Sequence, residues 1–179
     1  MRDNRYLSFI FLIILIIIYI YLQSSNELIV DNYNEIIVTK VVDGDTVITS
    51  DGEKIRIIGI NAPEISKKEY LSLEAKDLAE KIMLNKKVFI EKDVETRDKY
   101  GRILGYIWLE IPNELNRDTI ENLNYSGIAL RYGLARVYTF KPNDKYQKIF
   151  NNIQKKAIKE KNGMWEYSIE GTTRGNALE

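Results

Sequence analysis

Between Glu35 and Ile60 three short β-branched runs follow one another, EIIVTKVV, DTVITS and KIRIIGI, with the turn Ser50-Asp51-Gly52-Glu53 between the last two. An Asp-Gly pair between alternating runs is a strong hairpin signal, so this stretch is committed to adjacent antiparallel strands. Downstream, Leu71, Ala75, Leu78 and Ile82 of LSLEAKDLAEKIM recur at helical spacing, and KKVFIEKDVE and RILGYIWLE return to strand character. RDTIENLNYSGIALRYG predicts one helix stopped at Gly133, in spite of Gly127 within it. NDKYQKIFNNIQKKAIKEK predicts a last helix with Tyr146, Ile149, Phe150, Ile153 and Ala157 on one face and Asn143 as its N-cap.

Three strands, a helix, two strands and then helices predict an α+β domain, a five-stranded oligonucleotide-binding (OB-fold) β-barrel carrying about three helices. The 179 residues allow one such domain and an appendage. The appendage is residues 7–22, LSFIFLIILIIIYIYL, which hold one serine and no charge. As a helix they rise about 24 Å, against a hydrocarbon core of about 30 Å. Tyr6, Tyr19 and Tyr21 suit the interfaces, and Arg2 with Arg5 favours a cytoplasmic N-terminus. The expected organisation is residues 1–6 cytoplasmic, 7–22 a transmembrane signal anchor in the lipid bilayer, 23–34 a polar tether, 35–167 the folded domain outside the cytoplasm, and 168–179 a C-terminal tail. A cleaved signal peptide and a secreted domain are the alternative.

The chain has no cysteine and no histidine, which excludes disulfides, thiolate nucleophiles, imidazole acid–base pairs and most zinc sites. Chemistry would rest on carboxylates, arginine, lysine, tyrosine and a hard metal ion bound through oxygen. Lysine plus arginine equal aspartate plus glutamate at 26 each, so any attraction for a polyanion is local. VVDGDTV, residues 41–47, sets Asp43 and Asp45 around a glycine, a pattern that ordinary turns also use. It is not an EF-hand loop, because Val47 stands where the third acidic position belongs. RIIGINAPE, residues 56–64, adds Asn61 and Glu64 around the stiff Pro63. If the two loops converge, Asp45, the Asn61 amide oxygen and nearby carbonyls offer hard oxygen ligands, with the planar fork of Arg56 reaching the same place. An Arg56–Glu64 surface salt bridge is the plain alternative. RDKYGRILGYIW, residues 97–108, interleaves Arg97, Lys99 and Arg102 with Tyr100, which suits phosphate contact and base stacking and equally suits a solvated hairpin loop.

Together VVDGDTV, RIIGINAPE, LEAKDLA, TRDKYGRILGYIW, YGLARVYTFKP and NGMW resemble, in order and spacing, the staphylococcal nuclease (thermonuclease) family over roughly residues 36–165. The resemblance implies an OB-fold endonuclease, a phosphodiesterase that hydrolyses DNA and/or RNA with calcium (Ca2+). A non-catalytic nucleic-acid-binding barrel is the alternative. It further implies Asp45 and the Ala62 backbone carbonyl as metal ligands, Asp43 as a carboxylate beside them, and Asn61 where the family carries a second aspartate ligand. Glu64 matches the glutamate that orients or activates water, Arg56 and Arg102 the arginines that grip the scissile phosphate, and Lys99, Tyr100 and Tyr138 further substrate contacts. Asn61 keeps an oxygen but removes one negative charge, so weaker calcium binding is expected. Residues 111–122 look like an insertion without a readable role, and no protein partner is implied.

Overall fold

A computed structural model describes residues 4–30 and 32–178 of the chain, in two compact units divided after Tyr33. The first unit is a helix, α1 (Asn4–Val30), which continues through residues 23–30 of the expected tether. Its described side chains, Ser8 to Tyr21, are all exposed. Among the described residues no helix is long and apolar enough to cross a membrane. The expected transmembrane helix over residues 7–22, and the bilayer as its partner, are therefore not supported. Arg2 lies outside the described residues.

The second unit carries strands β1 (Tyr33–Asp43), β2 (Thr46–Thr49), β3 (Lys54–Ile57), β5 (Lys87–Glu91) and β6 (Ile103–Trp108) in a closed barrel of order β1-β2-β3-β6-β5. The two hairpins are antiparallel, with Val41 opposite Val47 and Val47 opposite Ile55. β3 then runs parallel to β6, which pairs antiparallel with β5. Closure is made where Asn85 N–H donates to the Val38 carbonyl at 2.7 Å. This is the five-stranded barrel that the alternating runs predict, with Val38, Val41, Val47, Ile55, Ile57, Ile90 and Ile107 buried.

The run KIRIIGI does not stay one strand. It breaks at Ile58, and β4 (Gly59–Asn61) leaves the barrel to pair antiparallel with β7 (Arg136–Tyr138). Gly59 makes the break, with φ +87° and a position where a Cβ would stand 2.4 Å from the Phe150 ring. Helix α2 (Ser72–Met83) forms as expected. The helix expected over 117–133 is two, α3 (Arg117–Leu123) and α4 (Tyr125–Arg131). Asn124 divides them by capping α4, its side chain accepting Ser126 N–H at 3.0 Å. Gly127 then lies so close to α3 that a Cβ would be 2.1 Å from the Ile120 carbonyl oxygen. Helix α5 (Gln147–Glu160) has Tyr146 at its N-cap. Asn143 instead bridges the Glu95 backbone, donating to its carbonyl and accepting its N–H at 2.8 Å each. Among the described residues the domain thus carries four α-helices, α2 to α5, where about three were expected. Residues 111–122 lead into α3 through a capping box of Asn116 and Thr119, and Glu121 docks α3 on α5 through Lys156 at 3.1 Å.

Candidate active site

The Asp43-Gly44-Asp45 turn is held by a close approach of small residues. A Cβ on Gly44 would stand 2.6 Å from Ala62 Cβ and 2.8 Å from Ala75 Cβ, so only glycine lets β1, the Asn61 loop and α2 meet here. The buried Tyr125 hydroxyl donates to the Gly44 carbonyl at 2.7 Å. Asp45 is thereby turned inward. Its Oδ2 accepts Ala62 N–H at 2.8 Å and faces Arg56 Nη2 at 3.1 Å, while Oδ1 accepts from Thr46 Oγ1 at 3.0 Å. Asp43 Oδ1 accepts Asp45 N–H at 3.1 Å. Burial pushes the Asp45 carboxyl up to about 6, with Arg56 opposing and Asp43 adding to the rise.

Arg56 stands opposite Thr46 in the β2–β3 pair. Its Nη1 donates to the Ile57 carbonyl. Its Nη2 lies among three oxygens, 3.1 Å from Asp45 Oδ2, 2.9 Å from the Ile60 carbonyl and 3.3 Å from Asn61 Oδ1. Asn61 is buried, and its Nδ2 donates to the Ala62 carbonyl at 3.3 Å and to Thr173 Oγ1 at 2.8 Å. This oxygen-only donor set, with one anionic member, has the chemistry a hard cation requires, and a guanidinium nitrogen occupies part of it. Among the described residues no group of three acidic side chains that could hold a metal ion comes together. Of the oxygens gathered around Arg56 Nη2 only those of Asp45 are anionic, and Asn61 and the Ala62 carbonyl are neutral.

The Arg56–Glu64 salt bridge does not form. Glu64 pairs with Lys67 at 2.8 Å. The Lys67 hydrogen bond holds the Glu64 carboxyl below the usual carboxylate range, aided by the charges of Lys67, Arg174 and Arg56 against a smaller burial effect. Glu64 N–H in turn donates to Glu69 Oε2 at 2.8 Å.

A cleft of about 240 Å³ is lined by Arg56, Asp98, Arg102, Tyr138, Phe140 and Lys141, among others. Arg102 is aimed by Asp98, whose Oδ2 accepts from Nε at 2.7 Å. Asp98 Oδ1 accepts the N–H groups of Tyr100 and Arg102, so the loop folds around this one carboxylate. Tyr138 packs edge-on against Phe140 with ring centroids 4.5 Å apart. Lys99 and Tyr100 do not line this cleft. They sit on the exposed loop, with Lys99 Nζ 5.1 Å and Arg102 Cζ 5.7 Å from the Tyr100 ring centroid. The structure thus gathers Arg56, Arg102 and Tyr138 in one cleft and joins Asp45 and Asn61 to it through Arg56. Glu64 is likewise outside the cleft lining. Asp98, Thr173 and Arg174 were not legible as site residues. Asp98 had a local signal in its spacing of four from Arg102, whereas Thr173 meets Asn61 across 112 residues of sequence.

Residues 54–167 match the family model described as staphylococcal nuclease homologue. The chain is 36% identical over 137 residues to the thermonuclease of Staphylococcus intermedius, across 73% of this chain and 75% of that protein. The thermonuclease of Staphylococcus hyicus is also 36% identical over 137 residues, across 72% and 73% respectively. The SPbeta prophage-derived endonuclease YokF of Bacillus subtilis (strain 168) is 30% identical over 150 residues, which cover 79% of this chain and 47% of that protein.

Proposed function

The chain belongs to the staphylococcal nuclease family, and from that membership we propose that it hydrolyses phosphodiester bonds of DNA and/or RNA with calcium. It is a nuclease, and so a hydrolase, on an OB-fold barrel, and the family works with a metal ion. The observation that carries the finer reading is the placement of Arg56 Nη2 among the oxygens of Asp45, Ile60 and Asn61, with Arg102 in the same cleft.

Asp45, Asn61 Oδ1 and the Ala62 carbonyl would hold the ion, with Asp43 beside them. Calcium bound there supplies positive charge against the phosphoryl oxygens. Arg56 and Arg102 present planar donor forks to those oxygens as negative charge accumulates in the transition state. Losing one such fixed donor typically costs about 2.7 to 4 kcal/mol of barrier lowering. Glu64, whose carboxyl the Lys67 hydrogen bond holds below the usual carboxylate range, accepts a hydrogen bond from water and orients it for in-line attack. Lys99 and Tyr100, on the exposed rim of the Arg102 loop, and Tyr138, in the cleft wall, serve as contacts for the rest of the strand.

Cleavage of single- and double-stranded DNA and RNA, titrated with calcium, tests this. Glu64→Gln is expected to lower turnover by roughly 10²- to 10⁴-fold while the thermal midpoint holds. Arg56→Lys and Arg102→Lys are expected to impair cleavage because a point charge does not reproduce a bidentate contact. Wild-type turnover in Glu64→Gln, or cleavage indifferent to chelator, refutes the assignment.

The same reading extends to location. The exposed apolar side chains of α1 from Phe9 to Tyr21, following Arg2 and Arg5 in the sequence, suit export of the domain from the cytoplasm. Protease added to intact cells is expected to degrade the domain; a fully protected domain refutes export.

A further inference from the structure

The C-terminal segment 168–178 lies beyond the residues matched to the family, yet it is bound to the site at both ends of a short span. Thr173 is buried, and its hydroxyl accepts from Asn61 Nδ2 at 2.8 Å. Arg136 donates through Nη1 to the Thr173 carbonyl and through Nη2 to the Asn176 carbonyl, at 3.0 Å each. Asn176 N–H donates to the Val137 carbonyl at 2.8 Å, and its amide oxygen accepts Thr139 N–H at 2.7 Å. A Cβ on Gly175 would stand 2.7 Å from Arg136 Nε, so the backbone lies flat on that guanidinium. These bonds fix the chain on either side of residue 174.

Arg174 itself is exposed. Its Cζ stands 5.3 Å from the centroid of Tyr138, the ring that lines the cleft with Arg56 and Arg102. Among the described residues no carboxylate pairs with it. Its charge also helps, after Lys67, to hold the Glu64 carboxyl below the usual range. A guanidinium laid on an aromatic face keeps the N–H groups of its edge available to a phosphate. Clamping the backbone at 173 and 176 lowers the entropy lost when that contact forms.

We infer that Arg174 is a third phosphate-binding arginine of this site, contacting a nucleic-acid phosphate beside the one gripped by Arg56 and Arg102. This rests on the nuclease reading above. Arg174 binds the strand and takes no part in bond cleavage, so its loss falls on KM and leaves kcat within about twofold.

The test uses the full chain in detergent with a single-stranded DNA oligonucleotide, in chelator for binding and in calcium for cleavage. Arg174→Ala is expected to weaken Kd roughly five- to tenfold at low salt. It should also reduce the slope of log Kd against log salt by about one phosphate contact, about 0.7 for a single strand. Arg174→Lys should keep the slope and recover part of the affinity. The thermal midpoint should be unchanged. Wild-type Kd and slope in Arg174→Ala, with the wild type binding and cleaving normally, overturn this inference alone. A weaker Kd with an unchanged slope also overturns it, because the loss would then come from stacking. A wild type that neither binds nor cleaves nucleic acid overturns both this inference and the nuclease reading.

Discussion

Replacing Gly44 by alanine puts a methyl group where the structure leaves no room. The new Cβ would lie 2.6 Å from Ala62 Cβ and 2.8 Å from Ala75 Cβ, against about 3.5 to 4.0 Å for a comfortable carbon contact. Both obstacles are buried, so the turn and the Asn61 loop must part by about 1 Å. Overpacking of this kind costs about 1 to 3 kcal/mol, which for a domain of this size lowers the thermal midpoint by roughly 2 to 12 °C. The functional loss should exceed the stability loss. The bond from Ala62 N–H to Asp45 Oδ2 is 2.8 Å, and a shift of about 1 Å takes it beyond hydrogen-bonding range. Thermal unfolding, with cleavage measured well below the transition, gives both numbers. Ala62→Gly in the same chain removes the nearer obstacle and is expected to restore part of each, with a coupling energy of about 0.5 to 3 kcal/mol. Strict additivity of the two substitutions, or a Gly44→Ala chain as stable and active as wild type, refutes the close-approach argument.

Glu91 is buried and accepts from Trp108 Nε1 at 2.8 Å and Tyr146 hydroxyl at 2.9 Å, beside an ion pair with Lys145. Glu91→Ala should cost about 3 to 5 kcal/mol in urea unfolding by stranding these donors, and a cost under about 1 kcal/mol contradicts the assignment. Asn61→Asp replaces a donor that faces the Ala62 carbonyl at 3.3 Å with an anionic oxygen. The thermal midpoint should fall in chelator and recover with calcium, and less calcium should be needed for half-maximal cleavage; an unchanged requirement means residue 61 is not a ligand. For Asp98, burial raises the carboxyl, but Arg102 and the backbone N–H groups outweigh it and leave the value below the ordinary 3.8. Its stabilisation of the 97–102 loop is therefore complete above about 3.8 and lost as pH falls through the depressed native value. An NMR titration of the Asp98 carboxyl that finds a midpoint at or above 3.8 contradicts this sign.

The barrel was legible because its determinants are local. Alternating β-branched residues and an Asp-Gly turn act over a few positions, and they are enough to set EIIVTKVV, DTVITS and KIRI as neighbouring strands. The face of α5 was legible for the same reason, since Phe150, Ile153 and Ala157 recur at helical spacing and are buried. What depends on which segments meet could not be read this way. Asn143 reads as a helix cap and serves instead as a bridge to Glu95, because the backbone groups of that distant residue lie beside it. The stretch 117–133 reads as one helix in spite of Gly127, yet the Asn124 cap divides it and tertiary packing presses Gly127 against Ile120. At the site, sequence supplied the residue types and tertiary structure chose their partners. Arg56 turns to Asp45 and not to Glu64, since β2 and β3 place the buried carboxylate within 3.1 Å and Lys67 already occupies Glu64. Thr173 and Arg174 have no pattern of their own. Their place beside Asn61 and Tyr138 follows from Arg136 and Asn176 tying the chain end to β7, contacts whose partners lie 37 or more residues apart.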